Sequence, residues 1–179
     1  MEVIRIITEL NRQATEVQLH RFKSIPAEVL LELVEERTFT ANSESNTIAI
    51  DAEPSALNLL HAHFHVVKKM IGFDLVFKAP DVVGDLILFM NYDVDFIAVH
   101  LPTQEVFLVS HETMERQLFC SDSFSRFLES MIPHSAFFWE SLYEEKQMRK
   151  PREQVVKDCC VQASKDEARC REFYQLINS

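Results

Sequence analysis

Glycine is almost missing from this chain: two residues in 179, Gly72 and Gly84. A phosphate-cradling loop needs glycines so that successive backbone N–H groups can close on an anion, and two isolated ones cannot build it. The G-x-S-x-G nucleophile elbow is missing too. The four cysteines, Cys120, Cys159, Cys160 and Cys170, offer no Cys-x-x-Cys pair and no Cys…His zinc spacing. Adjacent Cys159 and Cys160 on a helix point in different directions and pair poorly with each other. They read as thiols of a reducing, cytoplasmic compartment. No apolar run reaches about 18 residues, which argues against a helical membrane span. The opening stretch MEVIRIITELNRQATE mixes charge with apolar residues and lacks a basic leader before an apolar block, so no secretory signal is expected.

Basic excess is missing as well. The net charge is −10, and it is unevenly placed. Residues 140–179 hold eight basic and eight acidic side chains, which cancel. Residues 1–139 hold ten basic and twenty acidic ones, so the whole excess lies there. An acidic domain repels nucleic acid and anionic lipid. It can steer toward a basic protein partner, with an effect that weakens in salt.

What is present is globular. Hydrophobic residues make up 47% and aromatic residues 10% of the chain, too much apolar surface for a disordered protein. Val3, Ile7, Leu10, Ala14 and Val17 recur at helical spacing. Ser24 and Pro26 mark the start of a second helix. It carries Val29, Leu30, Leu33 and Val34 on one side and Glu28, Glu32, Glu35 and Glu36 on the other. Residues 40–46 read as a loop and Thr47–Asp51 as a short edge strand. A third helix is expected from Pro54, with a stripe of Leu57, Leu60, Phe64, Val67 and Ile71, Lys68 and Lys69 in its last turn, and Gly72 as its cap.

Beyond Gly72 the apolar period changes to two. Strands are expected at Phe73–Lys78, Asp85–Met90, Phe96–His100 and Glu105–Ser110, joined by turns at Ala79-Pro80-Asp81, Asn91-Tyr92-Asp93 and Pro102-Thr103. Such short links favour antiparallel neighbours. Leu86–Met90 and Phe96–Val99 are apolar on both faces, which marks central strands. A Ser-capped helix from Ser123 to Ser130 follows, and Pro133 is expected to break it. Glu140–Asn178 is charged and helix-prone, with an interruption at Pro151. Its residues Val156, Ala163, Cys170 and Ile177 lie seven apart. That stripe either packs back on the domain or serves a partner or a second copy. The expectation is thus an α+β fold: an antiparallel sheet of about four to six strands backed by helices, in a domain spanning 1–139, followed by a charged helical extension over 140–179.

Catalytic and metal chemistry find little support. On a helix, His61 and His65 would share a face at i, i+4, but no zincin-type glutamate follows and no third ligand can be named. Ser121 and Ser123 read as helix caps. Cys120 has no histidine partner in sequence. Asp74, Asp81, Asp85, Asp93 and Asp95 crowd the strands and turns without calcium-loop spacing. No catalytic residue, metal or cofactor is assigned. Asp81, Asp93 and Asp95 are the candidate partner-binding residues, as an acidic docking surface.

The run Gly84-Asp85-Leu86-Ile87-Leu88-Phe89, then FIAVH, then EVFLVS, then Ser123-Phe124-Ser125-Arg126-Phe127-Leu128 resembles the SMI1/KNR4-like (SUKH) superfamily. Its members end their sheet with a Gly-Asp strand, a hairpin and a closing Ser-Phe-x-x-Phe-Leu helix. Ile25-Pro26-Ala27-Glu28 resembles the family's Leu-Pro helix start. Where the family often has Asn-Gly after that helix, this chain has Arg37-Thr38-Phe39. The resemblance spans residues 24–131. It implies a SUKH-like sheet backed by helices and a non-catalytic, protein-binding role. Bacterial members are typically immunity proteins that neutralise toxins, often nucleases or deaminases. Fungal relatives regulate cell-wall synthesis and signalling, and viral ones counter host defences. The leading expectation is an immunity- or inhibitor-type module that occludes a basic partner. The alternative is a regulatory or scaffolding protein, or a viral host-defence antagonist, acting through the C-terminal helix.

Overall fold

A computed structural model describes residues 2–16, 25–42, 55–142 and 150–179. Val17, Ser24, the strand expected at Thr47–Asp51 and the helix start at Pro54 lie outside them. In chain order the elements are α1 (Glu2–Thr15), α2 (Ala27–Arg37), β1 (Thr40–Ala41), α3 (Ser55–His63), β2 (Phe64–His65), β3 (Met70–Ile71), β4 (Leu75–Val83), β5 (Leu86–Tyr92), β6 (Asp95–His100), β7 (Val106–Val109), β8 (Arg116–Ser121), α4 (Phe124–Ser141), α5 (Arg152–Ala163) and α6 (Glu167–Ile177). Strands β3 to β8 pair in sequence order as one antiparallel meander, and β1 and β2 form a separate two-stranded pair. The fold is α+β, with an antiparallel sheet backed by helices.

Alternation along the strands divides the sheet into two faces. Ile87, Phe89, Ile97, Val99 and Leu108 point toward the helices. They share one core with Ile6 and Leu10 of α1, Leu57 and Leu60 of α3, and Phe124, Phe127 and Met131 of α4. Phe89 meets Phe124 and Phe127 edge-on at 5.0 and 5.7 Å, a geometry that suits the ring quadrupoles. Leu86, Leu88, Ala98 and Val109 point the other way and form a second, smaller cluster. Leu86–Met90 is therefore buried on both faces, as expected of a central strand.

The third helix is shorter than its apolar stripe suggests. It ends at His63, and the stripe residues Phe64 and Ile71 fall on β2 and β3. Gly72 has φ +64, but it turns the chain between β3 and β4 instead of capping a helix. Lys69 does meet a helix C-terminus, that of α2: its ammonium donates to the Glu35 carbonyl at 2.8 Å, where orphan carbonyls favour a cation.

Pro133 does not break α4, which runs on to Ser141. An interior proline costs about 3 kcal/mol. Packing beyond it offsets that cost, because His134, Ser135, Phe138 and Trp139 are all buried on the helix face that continues past it. The helix thus crosses the expected boundary at residue 139. Over its described residues 150–179 the tail forms two helices and not one: the chain breaks at Ser164–Asp166, and Asp166 caps α6 by accepting from the Ala168 N–H. All four residues of the seven-spaced stripe are buried, and Val156, Cys159, Phe173, Tyr174 and Ile177 belong to the main core. The extension packs back on the domain. Donors from the sheet edge and α4 converge on the last carbonyls of α5: Ser121 Oγ, the Asp122 N–H and Arg126 Nε reach Ala163, and Arg126 Nη2 reaches Val161, at 2.7–3.2 Å.

Candidate functional site

The three candidate aspartates do not form one patch. Residues directly opposite in an antiparallel pair share a face. Asp81 pairs with Leu88 and so lies on the face away from the helices, exposed. Asp95 pairs with Tyr92, which pairs with Leu75 of the main core, so Asp95 lies on the helix-side face. Four positions along β5 separate the two, about 13 Å at strand rise. Asp93 is exposed at the β5–β6 hairpin with φ 52, a left-handed conformation that aspartate tolerates.

Asp95 is also committed. Its Oδ1 accepts from the His111 N–H and from His111 Nδ1, both at 3.0 Å. The backbone bond, then the side-chain one, hold its carboxyl below the usual carboxylate range. Its task is to tie the β7–β8 loop to the start of β6. Beside Asp93, Asp74 shares an open bay of about 640 Å³ with Tyr92 and Met70. Burial, then the charges of Asp74 and Asp93, push the Tyr92 hydroxyl up.

The sheet face away from the helices covers itself. Phe96 and Phe107 pack over Leu88, Ala98 and Val109. Lys78 Nζ sits 4.7 Å from the Phe96 ring centre and the Arg116 guanidinium 5.0 Å from that of Phe107, so each ring is capped by a cation. Asp85, of the Gly-Asp pair, has a structural task beside them. Asp85 Oδ2 accepts from His100 Nε2 at 2.9 Å, and His100 Nδ1 pairs with the Thr103 hydroxyl at 2.9 Å. The Leu101 N–H donates to the Asp85 carbonyl at 2.8 Å. This network closes the β4–β5 turn onto the end of β6.

A third place was visible in the sequence as a row of glutamates, without its surroundings. α2 buries only Leu30 and Arg37 fully. Arg37 anchors it: Nε donates to the Gly72 carbonyl at 3.1 Å, and the guanidinium lies 4.2 Å from the Phe138 ring centre. Burial lowers its pKa against the opposing effect of Glu36. Leu33 and Val34 pack against Ala14, Phe138 and Trp139, and the opposite side of α2 faces solvent, with Glu28, Glu32 and Glu35 exposed.

The histidines separate. His61 ends up buried in α3 and His65 exposed on β2, so they share no helix face. Burial pushes His61 down to about 4. His134, fully buried, is also pushed down to about 4 by burial, against a bond to Asn178 at 2.9 Å. In the unfolded chain both titrate near 6.5. Between about pH 4 and 6.5 the unfolded state therefore binds more protons, and stability rises with pH. Each histidine contributes up to about 3 kcal/mol, fully present above pH 6.5 and lost as pH falls toward 4. Urea titrations across that window should show the slope, and His134→Gln should reduce it. A flat profile between pH 4 and 6.5 would refute the assignment.

Among the described residues no helix is long and apolar enough to cross a membrane. Comparison of the chain with protein-family models, curated proteins and solved structures gave no match.

Proposed function

We propose that this chain is a non-catalytic, cytoplasmic protein-binding module of the SUKH type, an immunity or inhibitor protein that occludes a basic partner. The observation that carries the reading is the charge division: twenty acidic against ten basic side chains in residues 1–139, and balance in 140–179. A field of one sign raises the encounter rate with an oppositely charged protein and suppresses like-charged ones. The partner class this favours is a basic protein, such as a toxin nuclease or deaminase whose own substrate is polyanionic. Binding would act by stoichiometric occlusion of the partner's working face.

Two further observations support the reading. The element order runs from a Pro-started helix through a meander with a Gly-Asp turn to a Ser-capped helix, as the resemblance implies. All four cysteines are free and buried, in keeping with a reducing compartment.

The test is an affinity capture from the native host with tagged full-length protein, at low and high salt, followed by titration of the captured protein's activity. One dominant basic partner, released by salt and silenced at a one-to-one ratio, is the expected result. A partner that is acidic, or held unchanged at high salt, would sink the proposal.

A further inference from the structure

α2 leaves apolar surface in water beside its carboxylates. Leu31 is 59% exposed and Val29 43%. At about 100° per residue, Glu28, Glu32 and Glu35 form a stripe opposite the buried Leu30 and Arg37, with Leu31 on one flank and Val29 and Glu36 on the other. Val67, 47% exposed, faces Glu32, Glu35 and Glu36 across a shallow bay of about 300 Å³. Two lysines also line the bay: exposed Lys68, and Lys69, whose ammonium is committed to the Glu35 carbonyl, so the carboxylates that stand clear of local cations are those toward Glu28 and Glu32. Glu28–Glu32 and Glu32–Glu36 stand at i, i+4, a spacing at which like charges repel. A cation brought alongside relieves that repulsion.

We infer that the outer face of α2 is the docking surface for the basic partner, and that the segment it takes is an amphipathic one: lysines or arginines against Glu28, Glu32 and Glu35, and an apolar side chain over Leu31. The inference rests on the reading of the protein as a binder of a basic partner and names the surface and the chemistry of what it meets. Asp81 and Asp93 stand on different parts of the sheet, Asp93 with Asp74 beside it, whereas α2 joins Glu28, Glu32 and Glu35 to exposed apolar side chains on one rigid element. Arg37, through the Gly72 carbonyl and the Phe138 ring, holds that element against the domain, so the face is presented preorganised.

The probe is a labelled synthetic peptide of about five helical turns, with leucines along one face and lysines elsewhere. A second peptide has the same composition with the leucines scattered. Fluorescence anisotropy is read on the full chain, on E28K/E32K/E35K, on Leu31→Asp and on the charge-matched control D81K/E112K/E115K. All substituted side chains are exposed, so each variant should keep its circular dichroism and melting behaviour. The amphipathic peptide should bind wild type more tightly than the scattered one. The α2 triple variant and Leu31→Asp should each weaken it by about tenfold or more, and the control should change it by less than about twofold. Equal loss in the control and the α2 variant, no loss with Leu31→Asp, or no binding of the peptide would overturn the assignment. The host partner separates the two levels. If it binds the α2 triple variant as well as wild type, the surface is wrong and the basic-partner reading stands. If the captured partner is not basic, that reading falls whatever the peptide does.

Discussion

A chain ending at Leu142 is expected not to fold. The truncation removes α5 and α6, and with them Val155, Val156, Phe173, Tyr174 and Ile177 from the main core, together with Cys159, Cys160, Ala163 and Cys170. Burying one Val, Ile or Phe is worth about 1.5–3 kcal/mol, so the five large side chains alone represent about 10 kcal/mol. That equals the total stability of an ordinary domain, about 5–15 kcal/mol. The loss extends to what remains. Phe127 would lose the Phe173 ring it packs against at 6.3 Å. Buried Ser130 would lose the Tyr174 hydroxyl, and Ser121 Oγ, Asp122 and Arg126 would lose their acceptors and donors on α5 and the turn after it. The truncated chain should therefore be insoluble, or show a collapsed near-ultraviolet circular dichroism and no cooperative urea transition. A cooperative transition within about 2 kcal/mol of full length would mean the tail is an appendage after all. The prediction also bears on function: deleting the tail cannot separate a tail-borne binding role from loss of fold, whereas substitutions at exposed positions such as Val161 can.

The parts of this fold that were legible in the sequence are those where one face decides. The period-two stretches at 75–109 show both sheet faces, because Leu86 and Leu88 on one side and Ile87 and Phe89 on the other are all apolar. The end of the third helix was not legible. Phe64 and Ile71 continue its stripe by coincidence, and only the β1–β2 and β3–β4 pairings show that the chain has turned. β8 is not legible because its first two residues, Arg116-Gln117, are polar, as suits an outer strand. Pro133 argued for a break that tertiary packing overrides. In the tail, the stripe Val156–Ala163–Cys170–Ile177 spans two helices of a hairpin, both of which turn it inward. At the candidate sites, the aspartates were recognisable as turn residues, but the partner that occupies Asp95 is His111, sixteen residues on. The glutamates of α2 were visible as a row. That Leu30 enters the core while its neighbour Leu31 faces water depends on where Arg37 pins the helix, which local periodicity does not encode.

Gly72→Ala should cost far more than Gly84→Ala, although both glycines have nearly the same backbone conformation, φ +64 and +63. A side chain in that left-handed region costs about 1–2 kcal/mol, and at Gly84 that is all, because a Cβ there meets nothing within 4 Å. At Gly72 the Cβ would lie 1.9 Å from His134 Nε2 and 2.5 Å from its Cδ2. The ring cannot swing aside cheaply. It is fully buried, its Nδ1 is bonded at 2.9 Å to Oδ1 of Asn178, the residue that ends α6, and Phe73 packs edge-on against it at 6.5 Å. Moving it strains the α4–α6 contact and the β3–β4 turn together. The Gly72 carbonyl is also the acceptor for buried Arg37 Nε, so a shift of the turn loosens the anchor of α2. Overpacking of this kind adds about 1–3 kcal/mol, for a total of about 2–5 kcal/mol at Gly72 against about 1–2 kcal/mol at Gly84. Urea denaturation of the two single variants measures the difference. Combining Gly72→Ala with His134→Ala identifies its cause, because removing the ring removes the clash and the double variant should lose less than the sum of the singles. Equal losses at the two glycines, or strict additivity in the double variant, would show that the turn yields without the ring and that His134 does not hold it.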